Sequence, residues 1–337
     1  MSNCKTKIIA TALSMLCMTT NVYAVEREVH VYNKDAGIVL AGTLSVPEST
    51  PKAICVLATG SGAQDRDETL LGHKPFKVLA DTLCRHGYAV LRMDDRGTGA
   101  SGGVFEGSTL DDFVTDISSG VSYADSAFTA VPICVIGHSE GGSIAIRLAA
   151  TDRRVNMIVT LAAPAWRGDS VIMSQSRALA MNTVGRWDKE SLQRSILDVC
   201  VGDMPEMSAR MTLQYLLMSQ PEASIPQVRE QLIKSIDVMV GRYYRRMLRY
   251  NPEEDMKSIT IPWLALNGDK DIQVLCENLQ TIQRLVPTAD TRVMSGHNHL
   301  FQHCATGLPT EYASLPEAIS AETLAVIVEW LDARTNK

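Results

Sequence analysis

Three short stretches carry residue types that can do chemistry. In Gly137-His138-Ser139-Glu140-Gly141 a serine stands between glycines placed two positions before and two after it. The loop Asn267-Gly268-Asp269-Lys270-Asp271 offers two carboxylates close together. Residues 296–303, GHNHLFQH, hold His297, His299 and His303, three of only seven histidines in the chain.

Two kinds of enzyme fit these residues. A His-x-His pair with a third histidine nearby has the spacing of zinc ligands. A serine hydroxyl, by contrast, becomes a nucleophile only when a neutral imidazole takes its proton, and that imidazole needs a carboxylate to orient it. The zinc reading lacks support from the rest of the chain: such sites add a carboxylate and further histidines from other strands, and the other strand ends offer no histidine except His138, beside the serine. The serine reading gains from context. Residues 133–136 are a short apolar run and a helical pattern begins at Gly141, so the glycines permit a tight, strained strand-to-helix turn that lifts the Ser139 hydroxyl clear of the backbone. The N-terminus of that helix points N–H groups, Glu140 N–H above all, at any oxyanion forming there.

These residues need a scaffold, and the hydropathy pattern supplies one. Residues 28–33 and 38–46 read as two strands joined around Asp35-Ala36-Gly37. Apolar runs then recur at 53–58, 89–93, 133–136, 157–161, 263–266 and 291–294, with helical periodicity at 74–86, 110–124, 141–150, 274–285 and 321–333. Strands apolar on both faces imply a parallel sheet covered by helices. The rhythm breaks once. Residues 165–258 show no convincing strand, and with the flanking turns they carry nine of the fifteen methionines, which reads as a helical cap inserted after the sixth strand, with Met side chains lining an adaptable pocket. The mature core is then 25–164 together with 259–337.

Residues 1–24 have the form of an export signal. Lys5 and Lys7 precede the mostly apolar run 8–20, and Val22-Tyr23-Ala24 has the small residues of a cleavage site. The apolar run is too short to span a bilayer, which argues against a stable membrane anchor and for a periplasmic or secreted protein. Removing that segment deletes two lysines and no acids, taking the formal charge from −6 to −8. An acidic chain without a basic tract is a poor nucleic-acid binder. Six cysteines remain, none in a CxxC pair, and Cys55 and Cys134 fall inside apolar runs where buried free thiols are expected.

Serine, acid and histidine, each after its own strand and in that order, resemble the α/β-hydrolase superfamily, and more narrowly its carboxylesterase-like branch related to the serine aminopeptidase group. Further local matches carry the resemblance: Gly60-Ser61-Gly62-Ala63-Gln64-Asp65-Arg66-Asp67, Asp95-Arg96-Gly97-Thr98-Gly99-Ala100-Ser101, and Asn298-His299-Leu300-Phe301-Gln302. The resemblance implies an α/β-hydrolase fold with Ser139 as nucleophile, Asp271 as acid and His299 as base, and no cofactor or metal. Asp269 is left as a turn former, His297 as a loop or rim residue and His303 as a surface residue. A second oxyanion donor falls on Ser61 N–H, or alternatively Gly62; Thr59 and Ala63 depart from the residues many relatives carry there. The charged residues Asp65, Arg66, Asp67, Asp95 and Arg96 are expected to fix loop shape through ion pairs. The substrate class implied is a carboxylic ester, with a short peptide carrying a free amine as the alternative. A non-catalytic ligand-binding protein of the same fold is opposed by the intact set of three residues.

Overall fold

The computed structural model describes residues 25–335; the expected export signal lies outside the described residues. Two strands, β1 (Val25–Asn33) and β2 (Ile38–Val46), open the chain as an antiparallel hairpin. Then come β3 (Ile54–Ala58), α1 (Pro75–Arg85), β4 (Ala89–Met93), α2 (Leu110–Ala127), β5 (Ile133–His138), α3 (Glu140–Thr151) and β6 (Val155–Leu161). Six helices follow without a strand: α4 (Gly168–Val184), α5 (Glu190–Val201), α6 (Glu206–Met218), α7 (Pro226–Val240), α8 (Arg242–Arg249) and α9 (Glu253–Lys257). The alternating pattern resumes with β7 (Trp263–Gly268), α10 (Asn278–Leu285), β8 (Asp290–Met294) and α11 (Ala321–Thr335).

The eight strands form one sheet in the order β1-β2-β4-β3-β5-β6-β7-β8, parallel from β4 onward. Its central strands are buried on both faces because their side chains alternate between two apolar layers. Ile54, Val56, Ile133 and Val135 face one layer with Phe113 and Ile117 of α2 and Ile144 of α3. Cys55, Leu57, Cys134 and Ile136 face the other, with Phe76 and Leu79 of α1 and Ile327 and Leu331 of α11. Cys55 and Cys134 are buried and unbonded, side by side in β3 and β5.

The insertion after β6 has an apolar core of its own, built on Leu197, Leu213, Leu217, Ile236 and Leu248. Its methionines behave differently from expectation. Among the described residues, Met247 is the one methionine on the cavity that Ser139 and His299 line, while Met181, Met207 and Met211 are about half or more exposed. One helix start also differs from the reading of periodicity: α10 begins at Asn278, four residues later than the pattern from 274 suggests. The cause is local, since the Asp271 carboxylate accepts the Gln273 and Val274 N–H groups at 2.8 and 3.0 Å and holds those residues in a side-chain-capped turn.

No helix among the described residues is long and apolar enough to cross a membrane.

Candidate active site

Ser139 sits between β5 and α3 with φ 52° and ψ −116°, a backbone conformation that L-residues avoid. Such strain costs about 1–3 kcal/mol and persists only where surrounding contacts fix it. Here the Ser139 N–H donates to Leu161 O of β6 at 2.8 Å, and its carbonyl accepts the Gly142 N–H at 2.9 Å. The flanking glycines serve by close approach. A Cβ on Gly137 would lie 2.0 Å from Gly141 O, one on Gly141 2.0 Å from Ala58 O, and one on Gly142 2.4 Å from the Ala163 Cβ. The strain therefore resides on the serine, and the glycines make room for the helix to start against the sheet.

His299 and Asp271 meet from two loops. His299 Nδ1 lies 2.7 Å from Asp271 Oδ2, with both side chains buried. The other carboxylate oxygen is saturated by the Gln273 and Val274 amides, so the acid has a single orientation. Around His299 the loop is held by Asn298, whose Oδ1 accepts the Leu300 and Gln302 N–H groups at 2.9 and 3.0 Å. The end of β7 presses against the same loop: a Cβ on Gly268 would meet His297 O at 2.1 Å. Ser139 and His299 line one cavity of about 410 Å³ at the carboxyl ends of the parallel strands. From the insertion this cavity takes Trp166, Val171, Ile172, Gln175, Tyr243, Met247 and Tyr250.

The other two histidines of the cluster go elsewhere. His297 is fully buried, against the expectation of a rim position, with Nδ1 2.8 Å from Ser295 O and Nε2 2.8 Å from Ser320 Oγ. His303 is on the surface, paired with Glu317 at 2.8 Å. His297, His303 and Glu322 lie close enough together to share an ion, yet both ring nitrogens of His297 already have partners. Asp269, expected as a turn former, binds across to the next loop, accepting the Gly296 N–H at 2.6 Å.

On the loop after β3, Gly60 N–H is taken by the Glu68 carboxylate at 2.7 Å, and Ser61 lines the cavity. Gly62 follows at φ 96°, in the left-handed region that turns the loop back. Charged residues here do form a brace: Arg66 pairs with Asp94 at 2.8 Å and Glu28 at 2.7 Å, Arg92 with Asp67 and Glu26, and Arg96 with Asp116 at 2.6 Å. Asp95 accepts from Thr59 Oγ1 at 2.7 Å and Gln64 N–H at 2.9 Å, and burial raises its pKa to about 7 against those bonds.

Three residues on the cavity have side-chain positions the sequence does not announce. Glu140, of interest for its N–H, turns its carboxyl into the cavity and accepts from Tyr243 Oη at 2.8 Å, and burial raises its pKa to about 7 despite the hydrogen bonds of Tyr243 and Ser61. Tyr243 belongs to the insertion, a hundred residues away in sequence. Glu68 lies in the same loop as the run Asp65-Arg66-Asp67, and its φ of 53° aims the carboxylate inward at His138. Only the density of acids in that loop hints at it.

An arrangement of this kind can acylate a serine. The elbow presents the hydroxyl to the cavity, the imidazole lines the same cavity with an oriented carboxylate behind it, and amides at a helix N-terminus and a glycine loop can receive an oxyanion.

Comparisons with known proteins agree with the architecture. Among solved structures, the Pyrococcus furiosus esterase Pf2001 matches with a TM-score of 0.58 at 17% identity, over 92% of this chain and 93% of that one. The α/β hydrolase GrgF from Penicillium sp. sh18 matches with a TM-score of 0.58 at 16% identity, over 93% and 100%. Est1E from Butyrivibrio proteoclasticus, solved with ferulic acid bound, matches with a TM-score of 0.55 at 19% identity, over 91% and 98%. At these identities the likeness establishes the fold. A comparison with curated proteins found no match. The family described as serine aminopeptidase, S33 matches residues 73–299, a span that takes in Ser139, Asp271 and His299. This chain, an α/β hydrolase by fold, belongs to that family.

Proposed function

We propose that the protein is an exported serine hydrolase that cleaves carboxylic esters through an acyl-enzyme on Ser139. The observation that carries this reading is the 2.7 Å bond between His299 Nδ1 and the doubly amide-anchored Asp271, on the same cavity as a serine held in a strained elbow.

Ser139 Oγ attacks the ester carbonyl carbon while His299 Nε2 takes its proton, with Asp271 fixing the tautomer that leaves Nε2 free to accept it. The carbonyl oxygen becomes an oxyanion received by the Ser61 and Glu140 N–H groups. The intermediate collapses as His299 returns the proton to the departing alkoxide, and the alcohol leaves an acyl group on Ser139. Water, deprotonated by His299, then attacks that acyl carbon; the bond to Ser139 Oγ breaks as His299 returns the proton to it, which frees the acid and restores the serine. Each of these steps uses side chains and amides of this chain.

The ester reading is favoured over the aminopeptidase alternative by the lining of the cavity. Capture of a free amine by the insertion would require a carboxylate there, and the residues it contributes are aromatic, aliphatic or amide. The core acids on the cavity, Glu140 and Glu68, are engaged with Tyr243 and His138. Export rests on residues 1–24, with two lysines, a short apolar run and a small-residue end.

The test uses mature protein with p-nitrophenyl esters of increasing acyl length, beside amino-acid and proline anilides, with Ser139→Ala as control. Ester turnover above anilide turnover, abolished in Ser139→Ala, is the expected result. Ester turnover surviving that substitution refutes the mechanism, and faster anilide cleavage refutes the ester assignment.

A further inference from the structure

Directly behind the candidate triad lies a second histidine and carboxylate that the acyl-transfer steps do not use. His138 is the last residue of β5 and is 6% exposed. Its Nδ1 lies 2.8 Å from Glu68 Oε1, and its Nε2 lies 3.0 Å from the backbone carbonyl oxygen of His299. The two histidine rings are 4.8 Å apart, centroid to centroid. Glu68 Oε1 also accepts the Gly60 N–H, at 2.7 Å.

The protons of this pair can be placed in two ways. A neutral imidazole donates through one nitrogen and presents a lone pair at the other. Both nitrogens of His138 face oxygens, and the His299 carbonyl can only accept, so Nε2 carries a hydrogen. A neutral ring would then aim the Nδ1 lone pair at Glu68, which would have to be protonated on the very oxygen that accepts from Gly60. Both arrangements satisfy the contacts, and the imidazolium donating at both nitrogens to a carboxylate and a carbonyl has the stronger, charge-assisted bonds, with Gly60 N–H adding a second donor to the carboxylate oxygen.

We propose that Glu68 and His138 form a buried ion pair that positions the base and the oxyanion loop relative to the nucleophile. Three strand ends converge on it. Glu68 holds the Gly60 amide, next to Ser61, on the loop after β3. His138 is covalently joined to Ser139. Its other nitrogen holds the carbonyl of His299, on the loop after β8. Space is as tight as the bonding: a Cβ on Gly60 would come within 2.9 Å of Glu68 Oε1, 3.2 Å of His138 Nδ1 and 3.4 Å of the Ser139 Cβ. The pair thus acts through the backbones of His299 and Gly60, which makes both members positioning residues.

The surroundings supply what such a pair needs. The titratable groups facing His138 are Glu68, the His299 ring and Asp271, with Asp95 facing Glu68. Phe76, Leu161, Phe301 and Ile319 form an apolar wall around it. Burial works against the charge on His138, but Glu68 and the His299 carbonyl outweigh it, and the pKa is raised above the ordinary histidine value. Losing that proton would turn a lone pair toward either the carboxylate or the carbonyl and release one of the two loops, so catalysis should fail in alkali by a fall in kcat with KM held.

This inference rests on the hydrolase reading for its kinetic consequence, while its structural claim stands apart from turnover. The decisive experiment is therefore in two parts. In wild-type protein labelled with 13C and 15N, the His138 ring resonances, assigned through bonds from the backbone, should show both ring nitrogens protonated at neutral pH. A neutral tautomer overturns the proposal, whatever the activity. In ester turnover, the wild type should lose kcat on an alkaline limb whose midpoint matches the titration of His138. His138→Gln and Glu68→Gln should lower kcat by about 10–100-fold, leave KM within about twofold, and His138→Gln should abolish that limb. Unaltered kcat in both variants, or a limb that persists in His138→Gln, overturns the positioning role. Should the variants fail to fold, agreement between the NMR titration and the wild-type limb decides the question. A failure of the hydrolase reading would show instead as no turnover dependent on Ser139, with the imidazolium still present.

Discussion

Replacing Asp271 by asparagine changes one atom, and the structure dictates how the new side chain must lie. Oδ1 of Asp271 receives two amide protons, from Gln273 at 2.8 Å and Val274 at 3.0 Å. An asparagine must keep its carbonyl oxygen there, because an NH2 group in that position would face two donors. Its NH2 is then forced into the place of Oδ2, 2.7 Å from His299 Nδ1. A donor at that point makes Nδ1 accept and puts the ring hydrogen on Nε2, where it blocks the transfer of the Ser139 proton. The base is held in the unproductive tautomer by the two amides that normally orient the acid. The loss expected for a wrong tautomer is about 10⁴-fold in kcat, or about 5.5 kcal/mol in the barrier. Steady-state hydrolysis of a short p-nitrophenyl ester would measure it, with near-ultraviolet circular dichroism to confirm that the fold is kept. Asp269→Asn serves as the control, since Asp269 binds the Ser295-Gly296 turn and should lose less than about tenfold. A loss in Asp271→Asn below about tenfold, or equal losses in the two variants, would refute the assignment of Asp271 as the acid.

Three further outcomes are expected. Gly142→Ala places its methyl 2.4 Å from the Ala163 Cβ and 3.0 Å from its Cα, in a rigid part of the core, and should lower stability by about 1–3 kcal/mol in urea unfolding; an unchanged midpoint would contradict the packing described. His297→Asn strands buried partners at Ser295 and Ser320 and should cost about 1–3 kcal/mol of stability while keeping far more ester turnover than His299→Ala; the reverse order would show that His297 is the base. Glu140, raised by burial from an ordinary 4.5 to about 7, remains protonated in the folded protein at pH values where the unfolded chain is ionised. Its contribution therefore declines as pH rises from about 4.5 to 7, by about 3 kcal/mol in total. The difference in unfolding free energy between wild type and Glu140→Gln, followed from pH 4 to 8, should move by that amount against the wild type, and a flat difference would mean that Glu140 is ionised in the folded state.

The local motifs were legible because their chemistry is local. A strand, a serine between close-packed glycines and a helix start are covalent neighbours, so Ser139 and the Glu140 N–H could be nominated from spacing alone. The apolar runs announced the central strands for a similar reason: a parallel strand covered on both faces must be apolar at nearly every position, and β3, β4, β5 and β7 are buried throughout. Choosing Asp271 over Asp269 and His299 over its neighbours required family resemblance, because residues two apart in a loop carry no periodicity that separates them. In three dimensions the two acids part company: one meets His299, the other braces the Ser295-Gly296 turn.

What only the tertiary structure decided are the partnerships between distant segments. Glu68 and His138 are 70 positions apart, Glu140 and Tyr243 are 103 apart, and His297 finds Ser320 across 23. None belongs to a pattern along the chain, since each depends on which strand ends the sheet order places together. The methionine content of the insertion misled for the same reason. Composition shows that flexible apolar side chains are present, but the direction each helix faces decides which of them reach the cavity, and those helices turn Met207 and Met211 to solvent and Tyr243 and Tyr250 inward. The sequence by itself determined the strained elbow that makes Ser139 the candidate nucleophile, and the frame that carries it, because short-range sterics and strand burial are written in adjacent residues. The sheet order, by bringing the ends of β3, β5 and β8 together, decided which buried charges stand behind them.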